Sequence, residues 1–228
     1  PRVGKQLAPI SALDYYLELA ATVGADVSDK RPELGTVSHA EATVTAFWQK
    51  QGWQSSDRVV VLNTGGAYGA AKDWPAEHFA ALAQRLVDAH QLKVAVICGP
   101  AERDNARRIV ELADRTAVAS LADETPSINL SKSVVRRAAL LVSTDSGPRH
   151  FGSAYGVPTV AIFGPTDPRW SDNHHPQAID VVHPVDCGPC AKRTCPMGHH
   201  RCMRDLTVGQ VYHASLTLLE QSPLHRVA

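Results

Sequence analysis

The sequence lacks an excess of charge of either sign, long apolar runs and an apolar leader. It has 23 Lys and Arg residues against 23 Asp and Glu residues, so its formal net charge is zero. This balance gives no support for binding nucleic acid or a membrane through charge alone. No apolar run approaches the ~20 residues that a membrane-spanning helix requires, and the first residues do not form a signal peptide. We therefore expect a cytoplasmic protein that binds no nucleic acid and is at most peripheral to a membrane.

Cysteine is also scarce, with five residues in a chain of 228. A chain of this length can bury a core without disulfides, so the cysteines do not indicate a small secreted protein. The first 56 residues differ from the rest. Apolar spacing predicts helices at 14–23 and 41–51, joined by a polar loop, and no strand. Because the first residue is Pro1 rather than Met, we expect this segment to be the end of a preceding domain plus a linker.

From residue 57 onward, short β-branched runs alternate with amphipathic segments. The runs predict strands and the amphipathic segments predict helices. Strands that read as continuous apolar runs are buried on both faces, which indicates a parallel sheet covered by helices. The sequence therefore predicts an α/β fold with a Rossmann-like, doubly wound parallel sheet and an N-terminal helical extension. The predicted strands cover 58–63, 92–98, 140–143, 159–163 and 179–183, and the predicted helices cover 75–89, 102–113, 134–139, 148–155 and 206–219.

The loop after the first of these strands has the composition of an anion site. Ligands of such a sheet bind beyond the carboxyl ends of its strands. Thr64, Gly65 and Gly66 let backbone N–H groups approach an anion, and Lys72 adds a positive charge just before a helix. We interpret this loop as a cradle for a diphosphate, with a flexible loop and a solvated lysine as the alternative. It is not a Walker loop, because Lys72 is not preceded by Gly and followed by Ser or Thr.

Two further strand-end loops carry weaker signals. Glu102 follows the second strand, where its carboxylate could accept hydrogen bonds from a ribose or could simply favour its own helix N-terminus. Residues 163–168 hold two prolines and a glycine after the fourth strand, a composition typical of a rigid turn. That turn either lines the pocket or only terminates its strand.

The loop at 143–150 carries the strongest local signal. It combines Asp145, Ser146, Gly147 and His150 in one strand-to-helix turn. Gly147 would allow the backbone to approach a phosphate, and Ser146 and the first N–H groups of the helix can donate to it. Helix capping would explain Asp145 and Ser146 but not His150, which is suited to donate to a phosphate or a sugar hydroxyl. We therefore favour a functional role for this turn.

Four runs of the sequence together resemble a known family. The runs are 72–75 (KDWP), 99–100 (GP), 145–150 (DSGPRH) and 163–168 (FGPTDP). In this order and spacing they resemble the carboxyl-terminal half of the ADP-heptose:lipopolysaccharide heptosyltransferases, glycosyltransferase family 9, over roughly residues 57–219. The resemblance implies the C-terminal domain of a GT-B glycosyltransferase, in which two Rossmann-like domains enclose the active site. It also implies inverting transfer of heptose from a nucleotide diphosphate sugar to a lipopolysaccharide core, without a catalytic metal.

The resemblance also implies roles for residues of the strand-end loops. Lys72 and the 145–147 turn would hold the diphosphate of an ADP-heptose-like donor, with His150 beside them and Glu102 on the ribose. The catalytic candidates are Lys72, Asp145 and His150, and substitution of Lys72 is expected to lower turnover far more than stability. The implied donor-binding set is Thr64, Gly65, Gly66, Lys72, Glu102, Asp145, Ser146, Gly147 and His150. Some family members have adjacent threonines in the first loop, where this sequence has glycines.

A division of the chain follows from the same resemblance. Residues 1–56 would be the tail of a missing N-terminal domain plus a linker, 57–205 the nucleotide-sugar-binding domain, and 206–228 a closing helix and tail. The family's acceptor site and general base lie in the N-terminal domain, so this chain is expected to bind donor but to transfer little sugar alone. The implied acceptor is the lipid A and core oligosaccharide, reached from the cytoplasm at the inner face of the inner membrane.

A cysteine-rich loop, residues 186–204, precedes the closing helix. Its first two cysteines have the spacing of zinc ligands, so four thiolates could form a structural zinc site. Reduced thiols or disulfides are equally compatible, because the second pair lacks that spacing. The four cysteines are Cys187, Cys190, Cys195 and Cys202. The loop is also basic, which would suit an anionic acceptor, although a solvated basic loop is the simpler interpretation. Its basic residues include Lys192, Arg193, Arg201 and Arg204.

Two other functions fit the same fold. A nucleotide-sugar epimerase of GT-B fold would also bind a nucleotide diphosphate sugar at the carboxyl ends of the strands. The spacing of the Lys72 loop and of the 145–150 turn argues against it. The second alternative is a non-catalytic nucleotide-binding module, such as a relative that has lost its activity. The joint presence of Lys72, Asp145 and His150 argues against it. The sequence therefore favours a glycosyltransferase over both.

Overall fold

The computed structural model describes residues 2–3, 6–66 and 68–221, and strands alternate with helices through most of it. The strands are β1 (Arg2–Val3), β2 (Gln6–Leu7), β3 (Val59–Asn63), β4 (Lys93–Ile97), β5 (Val118–Ser120), β6 (Leu140–Thr144), β7 (Thr159–Phe163) and β8 (Ala178–Val182). The α-helices are α1 (Ala12–Ala21), α2 (Ser38–Lys50), α3 (Ala76–His90), α4 (Arg103–Ala113), α5 (Ile128–Arg136), α6 (Gly147–Tyr155), α7 (Arg201–Arg204) and α8 (Val208–Gln221). Short 3-10 helices at Ala70–Lys72, Pro100–Glu102 and Pro168–Trp170 follow the ends of β3, β4 and β7.

Strands β3 to β8 form one six-stranded sheet in the order β5-β4-β3-β6-β7-β8. Every neighbouring pair is parallel. Along the chain, β3, β4 and β5 are placed one after another toward one edge of the sheet, and β6, β7 and β8 are then placed one after another toward the other edge. β3 and β6 therefore meet where the winding reverses, and the loops that follow them share one edge of the sheet. The predicted Rossmann-like, doubly wound parallel sheet is confirmed.

Helices cover both faces of the sheet because its central strands are apolar on both sides. All five residues of β3, β6 and β7 are buried. One face packs against α3, α4 and α8, and the other against α2, α5 and α6. A fully buried large apolar side chain contributes about 1.5–3 kcal/mol. These two layers therefore supply the main stabilisation of the domain and hold its strand ends rigid.

Helix α2 belongs to the second of these layers, although the sequence places it in the N-terminal extension. Val44 is fully buried, and Phe47 and Trp48 pack with Trp53 against the sheet. The rings meet edge to face, with centroids 5.6 Å apart for Trp48 and Trp53 and 6.0 Å apart for Phe47 and Trp53. The change in composition at residue 57 is therefore not a boundary in packing.

Three local predictions are wrong. No strand is predicted where β5 lies, because three residues at the sheet edge are too few for an apolar run to stand out. Helix α5 begins at Ile128 instead of residue 134, because the Ser127 side chain accepts a hydrogen bond from the Leu130 backbone N–H at 3.0 Å and caps it. Strands β1 and β2 form a short antiparallel pair in a segment predicted to have no strand.

Helix α1 buries none of its residues. It is joined to the rest of the chain through Asp14, whose carboxylate lies 2.8 Å from Lys30 Nζ and 3.0 Å from His174 Nε2. Hydrogen bonds from Lys30 and His174 lower the pKa of Asp14 to about 2. Within the described ranges, no helix is both long and apolar enough to cross a membrane.

Candidate functional site

A cleft of about 610 Å³ opens at the carboxyl ends of β3 and β6, where the winding of the sheet reverses. Doubly wound folds bind their ligands at this position, and the volume is that of a small-molecule site. Six of the nine predicted donor-binding residues line it, namely Gly66, Lys72, Asp145, Ser146, Gly147 and His150. Tyr68 and Arg193, which were not assigned to the donor, line it as well.

Lys72 ends the 3-10 helix after β3 and reaches across to the loop after β6. Its Nζ donates to Asp145 Oδ2 at 2.5 Å and to the Asp145 backbone carbonyl at 3.0 Å. The two side chains are only 13% and 10% exposed, so the ion pair is largely removed from water. Lys72 Nζ also lies 4.1 Å from the centroid of the Tyr68 ring, within range of a cation–π contact. The pair joins the two loops that the sheet places side by side.

Asp145 is the centre of a buried polar network. Besides pairing with Lys72, its carboxylate accepts hydrogen bonds from Thr166 Oγ1 at 2.7 Å and Ser171 Oγ at 3.3 Å. Arg149 adds a positive charge, with Nε 3.9 Å from Asp145 Oδ1. Burial alone would raise the pKa of Asp145, but the hydrogen bonds from Lys72 and Thr166 outweigh burial and hold the pKa below its ordinary value. The carboxylate is therefore ionised and engaged, which suits it to position Lys72 rather than to abstract a proton.

The turn between β6 and α6 leaves the N-terminus of that helix open. Ser146 stands at the N-cap position, but its side chain makes no capping hydrogen bond. Its Oγ instead accepts a hydrogen bond from Asn63 Nδ2 at 2.7 Å. Gly147, the first residue of α6, has open space where a Cβ would lie. Pro148 has no N–H, and the Arg149 N–H donates to the Ser146 carbonyl at 3.2 Å, which leaves the Gly147 N–H available to an anion. The capping interpretation of Ser146 is wrong.

The loops after β3 and β6 touch because a glycine stands where they meet. A Cβ on Gly66 would lie 2.9 Å from Ser146 Cβ, closer than real Cβ atoms come. Asn63 also connects the two loops, because its Nδ2 donates to Ser143 Oγ at 3.0 Å and to the Gly65 carbonyl at 3.3 Å. Asn63 is not among the site residues that the sequence predicts. Its one available signal is an amide at the end of an otherwise apolar strand.

His150 lies in the first turns of α6 and presents one N–H group. Its Nδ1 lies 3.1 Å from Asn173 Nδ2. Because an amide nitrogen donates, Nδ1 accepts and the neutral ring carries its proton on Nε2. Burial, together with the charge of Arg149, lowers the pKa of His150 below its ordinary value. At neutral pH the ring is therefore neutral. Asn173 is 7% exposed, and no pattern in the sequence distinguishes it.

We expect His150 to make the protein less stable as the pH falls below about 7. A histidine with a lowered folded-state pKa binds protons more weakly in the folded chain than in the unfolded one. Its stabilisation is therefore present above the ordinary pKa of about 6.5 and is lost as the pH falls through it. Denaturant unfolding between about pH 8 and pH 5 should show a smaller loss of stability for His150→Gln than for the unsubstituted chain.

His175 serves as the internal control in this measurement. Burial also lowers the pKa of His175, and that residue is present in both proteins. The difference between the two pH profiles therefore isolates His150. Parallel profiles would mean that His150 titrates normally and is not held neutral by its surroundings.

The other three predicted donor-binding residues lie beside the cleft rather than in its lining. Thr64 is 1% exposed, and its hydroxyl has no hydrogen-bond partner among the described residues. Glu102 lies over Gly65, where a Cβ would be 3.2 Å from Glu102 Cγ. Burial and the nearby charge of Glu102 raise the pKa of Asp73. The two carboxylates thus form an acidic side next to the Lys72 side of the cleft.

The structure does not support the zinc prediction for the cysteine-rich loop. All four cysteines are free, so disulfides are not formed either. They line a cavity of about 20 Å³, in which Cys187 Sγ lies 3.8 Å from His199 Nε2. In the part of the chain that the structure covers, no three His, Cys, Asp or Glu side chains form a group that could hold a metal ion. Apolar residues such as Val185 and Met197 line this cavity together with Cys187, Cys190, Cys195 and Cys202.

Relatives of this chain in sequence include sugar-transferring enzymes. The family model described as glycosyltransferase family 9 (heptosyltransferase) matches residues 9–201. The lipooligosaccharide heptosyltransferase 2 of Campylobacter jejuni subsp. jejuni is 32% identical over 174 residues, which cover 75% of this chain and 54% of that protein. The chain thus spans about half the length of this relative.

Solved structures share the fold. The glycosyl transferase family 9 from Veillonella parvula matches with a TM-score of 0.77 at 26% identity, covering 97% of this chain and 63% of that one. The E. coli ADP-heptose lps heptosyltransferase II matches with a TM-score of 0.68 at 22% identity, covering 83% and 54%. The E. coli heptosyltransferase WaaC with ADP-2-deoxy-2-fluoro heptose matches with a TM-score of 0.56 at 20% identity, covering 83% and 57%. These matches confirm the prediction of a GT-B type, Rossmann-like domain.

Proposed function

Since this chain belongs to glycosyltransferase family 9, the heptosyltransferase family, we propose that it is the donor-binding half of an inverting heptosyltransferase. Its donor would be an ADP-heptose-like nucleotide sugar, and its acceptor a lipopolysaccharide core. The observation that carries this proposal is the Lys72–Asp145 ion pair, which lies beside the open N-terminus of α6 in one cleft. A cation and a free N–H group on adjacent loops match the needs of a diphosphate. The heptose and the lipopolysaccharide come from the names of the relatives.

Lys72 and the start of α6 would bind the leaving diphosphate. As the bond between the anomeric carbon and the phosphate oxygen breaks, negative charge grows on the diphosphate. The Lys72 ammonium and the Gly147 N–H, both in place before the reaction, would stabilise that charge. Asp145 would act through Lys72, because it accepts a hydrogen bond from the ammonium at 2.5 Å and thereby fixes its position. We therefore assign Lys72 a catalytic role and Asp145 a positioning role.

His150 and Glu102 would orient the rest of the donor. The neutral His150 ring would donate its Nε2–H to a phosphate oxygen or a sugar hydroxyl. Glu102 would accept hydrogen bonds from the ribose on the side of Gly65, with Thr64 and Gly66 flanking the phosphates and sugar. Hydroxyl groups donate well to carboxylates, whereas phosphates are repelled by them. The acidic and basic sides of the site would thus orient the nucleotide in one direction.

The proposed reaction needs groups beyond this cleft. Asp145 is engaged by four partners, and His150 presents a donor rather than a base. We propose that the general base and the acceptor site belong to the other half of the transferase, with residues 1–56 as its end plus a linker. Residues 57–205 would bind the donor, closed by 206–228. Rapid heptose transfer by the 228-residue chain alone would contradict this division.

Calorimetric titration with nucleoside diphosphates tests the proposal. We expect ADP and ADP-heptose to bind more tightly than GDP, UDP or CDP. AMP should bind about tenfold or more weaker than ADP, because it lacks one phosphate for the charge-assisted contacts. The proposal includes no metal, so EDTA should leave the affinities unchanged. Absence of binding by all four diphosphates, or equal affinities for ADP and AMP, would rule out a diphosphate site here.

A further inference from the structure

The cysteine-rich loop is hydrogen-bonded to the loops on both sides of the donor cleft. The Ala191 N–H donates to the Pro165 carbonyl at 2.7 Å, in the loop after β7. The Tyr68 hydroxyl, in the loop after β3, donates to the Ala191 carbonyl at 2.8 Å. The Ala71 N–H, in that same loop, donates to the Arg193 carbonyl at 3.1 Å. Three hydrogen bonds thus fix the backbone of residues 191–193 at the edge of the cleft.

A glycine permits this close approach. Gly69 has a φ of +132°, in the region that residues with a Cβ rarely adopt. A Cβ at this position would lie 2.6 Å from the Arg193 carbonyl oxygen. Any side chain at residue 69 would therefore strain the backbone and push the two loops apart. The loop after β3 and the cysteine-rich loop are complementary in shape at this point.

Arg193 lines the cleft, and its side chain lies beside the Tyr68 ring. Its Cζ lies 5.4 Å from the centroid of the Tyr68 ring, and Lys72 Nζ lies 4.1 Å from the same centroid. No carboxylate among the described residues forms an ion pair with Arg193. One aromatic ring thus contacts two cations at the cleft, and within the described part of the chain Lys72 is the one of the two that has a carboxylate partner.

This arrangement favours an anion with more than one negative charge. Two cations on one ring repel each other, and a bound anion between them would replace that repulsion with attraction. A guanidinium group can donate two parallel hydrogen bonds to a phosphate, whereas an ammonium acts as a point charge. Arg193 and Lys72 therefore offer complementary contacts to a diphosphate.

We propose that Arg193 binds the diphosphate of the nucleotide donor as a second cation, and that Tyr68 positions both Arg193 and Lys72. This inference rests on the proposed function, because it takes a nucleoside diphosphate as the ligand of the cleft. According to this inference the cysteine-rich loop is a part of the donor site and contributes one arginine to it. The neighbouring Lys192 is exposed and does not line the cleft.

Titrations of ADP and of inorganic pyrophosphate into Arg193→Gln test this inference. We expect both affinities to fall about tenfold, because one charge-assisted contact to phosphate is lost. Arg193→Lys should recover part of the loss, since it restores the charge but not the paired hydrogen bonds. Lys192→Gln is the matched control, and it should change either affinity less than about twofold. Because Arg193 is exposed, Arg193→Gln should unfold at the same denaturant concentration as the unsubstituted chain.

The outcomes separate this inference from the proposed function. If the unsubstituted chain binds ADP and Arg193→Gln binds both ligands equally well, the inference fails and the proposed function stands. A loss confined to ADP, with pyrophosphate unaffected, would place Arg193 away from the diphosphate and would also overturn it. An equal loss of affinity in Lys192→Gln would show that the effect depends on the net charge of the loop and not on a contact of Arg193, and would also overturn the inference. A raised KM for the acceptor of the full transferase, with ADP affinity unchanged, would assign Arg193 to an acceptor phosphate instead. If the unsubstituted chain binds no nucleoside diphosphate, both proposals fail.

Discussion

Lys72→Met should weaken ADP binding about tenfold or more and should also lower the free energy of unfolding by about 3 kcal/mol. Methionine keeps much of the length of the side chain but removes the ammonium, so the Asp145 carboxylate loses its main partner. The two side chains of the pair are only 13% and 10% exposed, so water cannot readily replace the lost contact. Because the pair is buried, we expect a larger loss of stability than the sequence suggests, from which substitution of Lys72 is expected to lower turnover far more than stability.

Adding Asp145→Asn to Lys72→Met separates binding from stability. The double variant has neither charge of the pair, and replacement of a buried ion pair by neutral groups of similar size is often close to neutral. In the unsubstituted chain Thr166 and Ser171 donate to different oxygens of Asp145. One of these hydroxyls can still donate to the amide oxygen of the asparagine, and the other can accept from its amide nitrogen. We expect the double variant to recover a large part of the lost unfolding free energy. Its ADP affinity should stay low, because the ammonium is still absent.

Two measurements on three proteins decide this prediction. Urea unfolding gives the stability of the unsubstituted chain, the single variant and the double variant, and calorimetry gives their ADP affinities. Recovery of both stability and ADP affinity in the double variant would show that Lys72 only supports the fold. In that case the diphosphate contact proposed for Lys72 would be wrong.

Trp74→Ala should destabilise the chain by about 3–5 kcal/mol, as large-to-small changes of buried aromatic residues do. Trp74 is 1% exposed, and its ring packs edge to face on Phe79 with centroids 4.8 Å apart. Its indole N–H donates to the Leu206 carbonyl at 2.9 Å. Alanine would leave a cavity between α3 and the start of the closing segment, together with a carbonyl that has lost its donor. Trp74 thus packs the start of α3 against the hydrophobic core.

Trp74→Phe and Trp170→Ala are the controls for this prediction. Phenylalanine keeps most of the apolar contact but cannot donate to Leu206, so we expect a loss of about 1–2 kcal/mol. Trp170 is 43% exposed, and its removal should change the unfolding free energy by less than about 1 kcal/mol. Chemical denaturation of the three variants measures these differences. A Trp74→Ala variant as stable as Trp170→Ala would contradict the tight packing around Trp74.

The order of strands and helices was largely predictable, because it depends on local patterns. The run at 159–163 reads as a strand buried on both faces, and β7 has the same bounds. The turn at 145–150 reads as an anion site, and it lies at the edge of the cleft. Each of these inferences needs only the period and polarity of adjacent residues. Short elements such as β5 could not be predicted, because three residues are too few to show a period of apolar and polar positions.

Residues that act across long sequence separations were not predictable. Asn63 contacts Ser146 from 83 positions away, and Tyr68 contacts Ala191 from 123 positions away. Nothing in the neighbourhood of either residue in the sequence indicates these partners. The cysteine-rich loop shows the same limit. Its spacing suggests a local metal site, whereas the fold leaves the thiols free and places Arg193 at the cleft beside Lys72.

Alternating apolar runs were therefore enough to establish a layered α/β domain with polar loops at its strand ends, because burial of a strand or helix depends on residues close in the chain. The meeting of Lys72 with Asp145, and of the Tyr68 loop with Arg193, depends instead on β3 and β6 being neighbours. Strand order is a property of how the crossovers pack, to which every part of the domain contributes. For that reason the loops of the cleft could be identified from residue types, while their partners and distances required the folded chain.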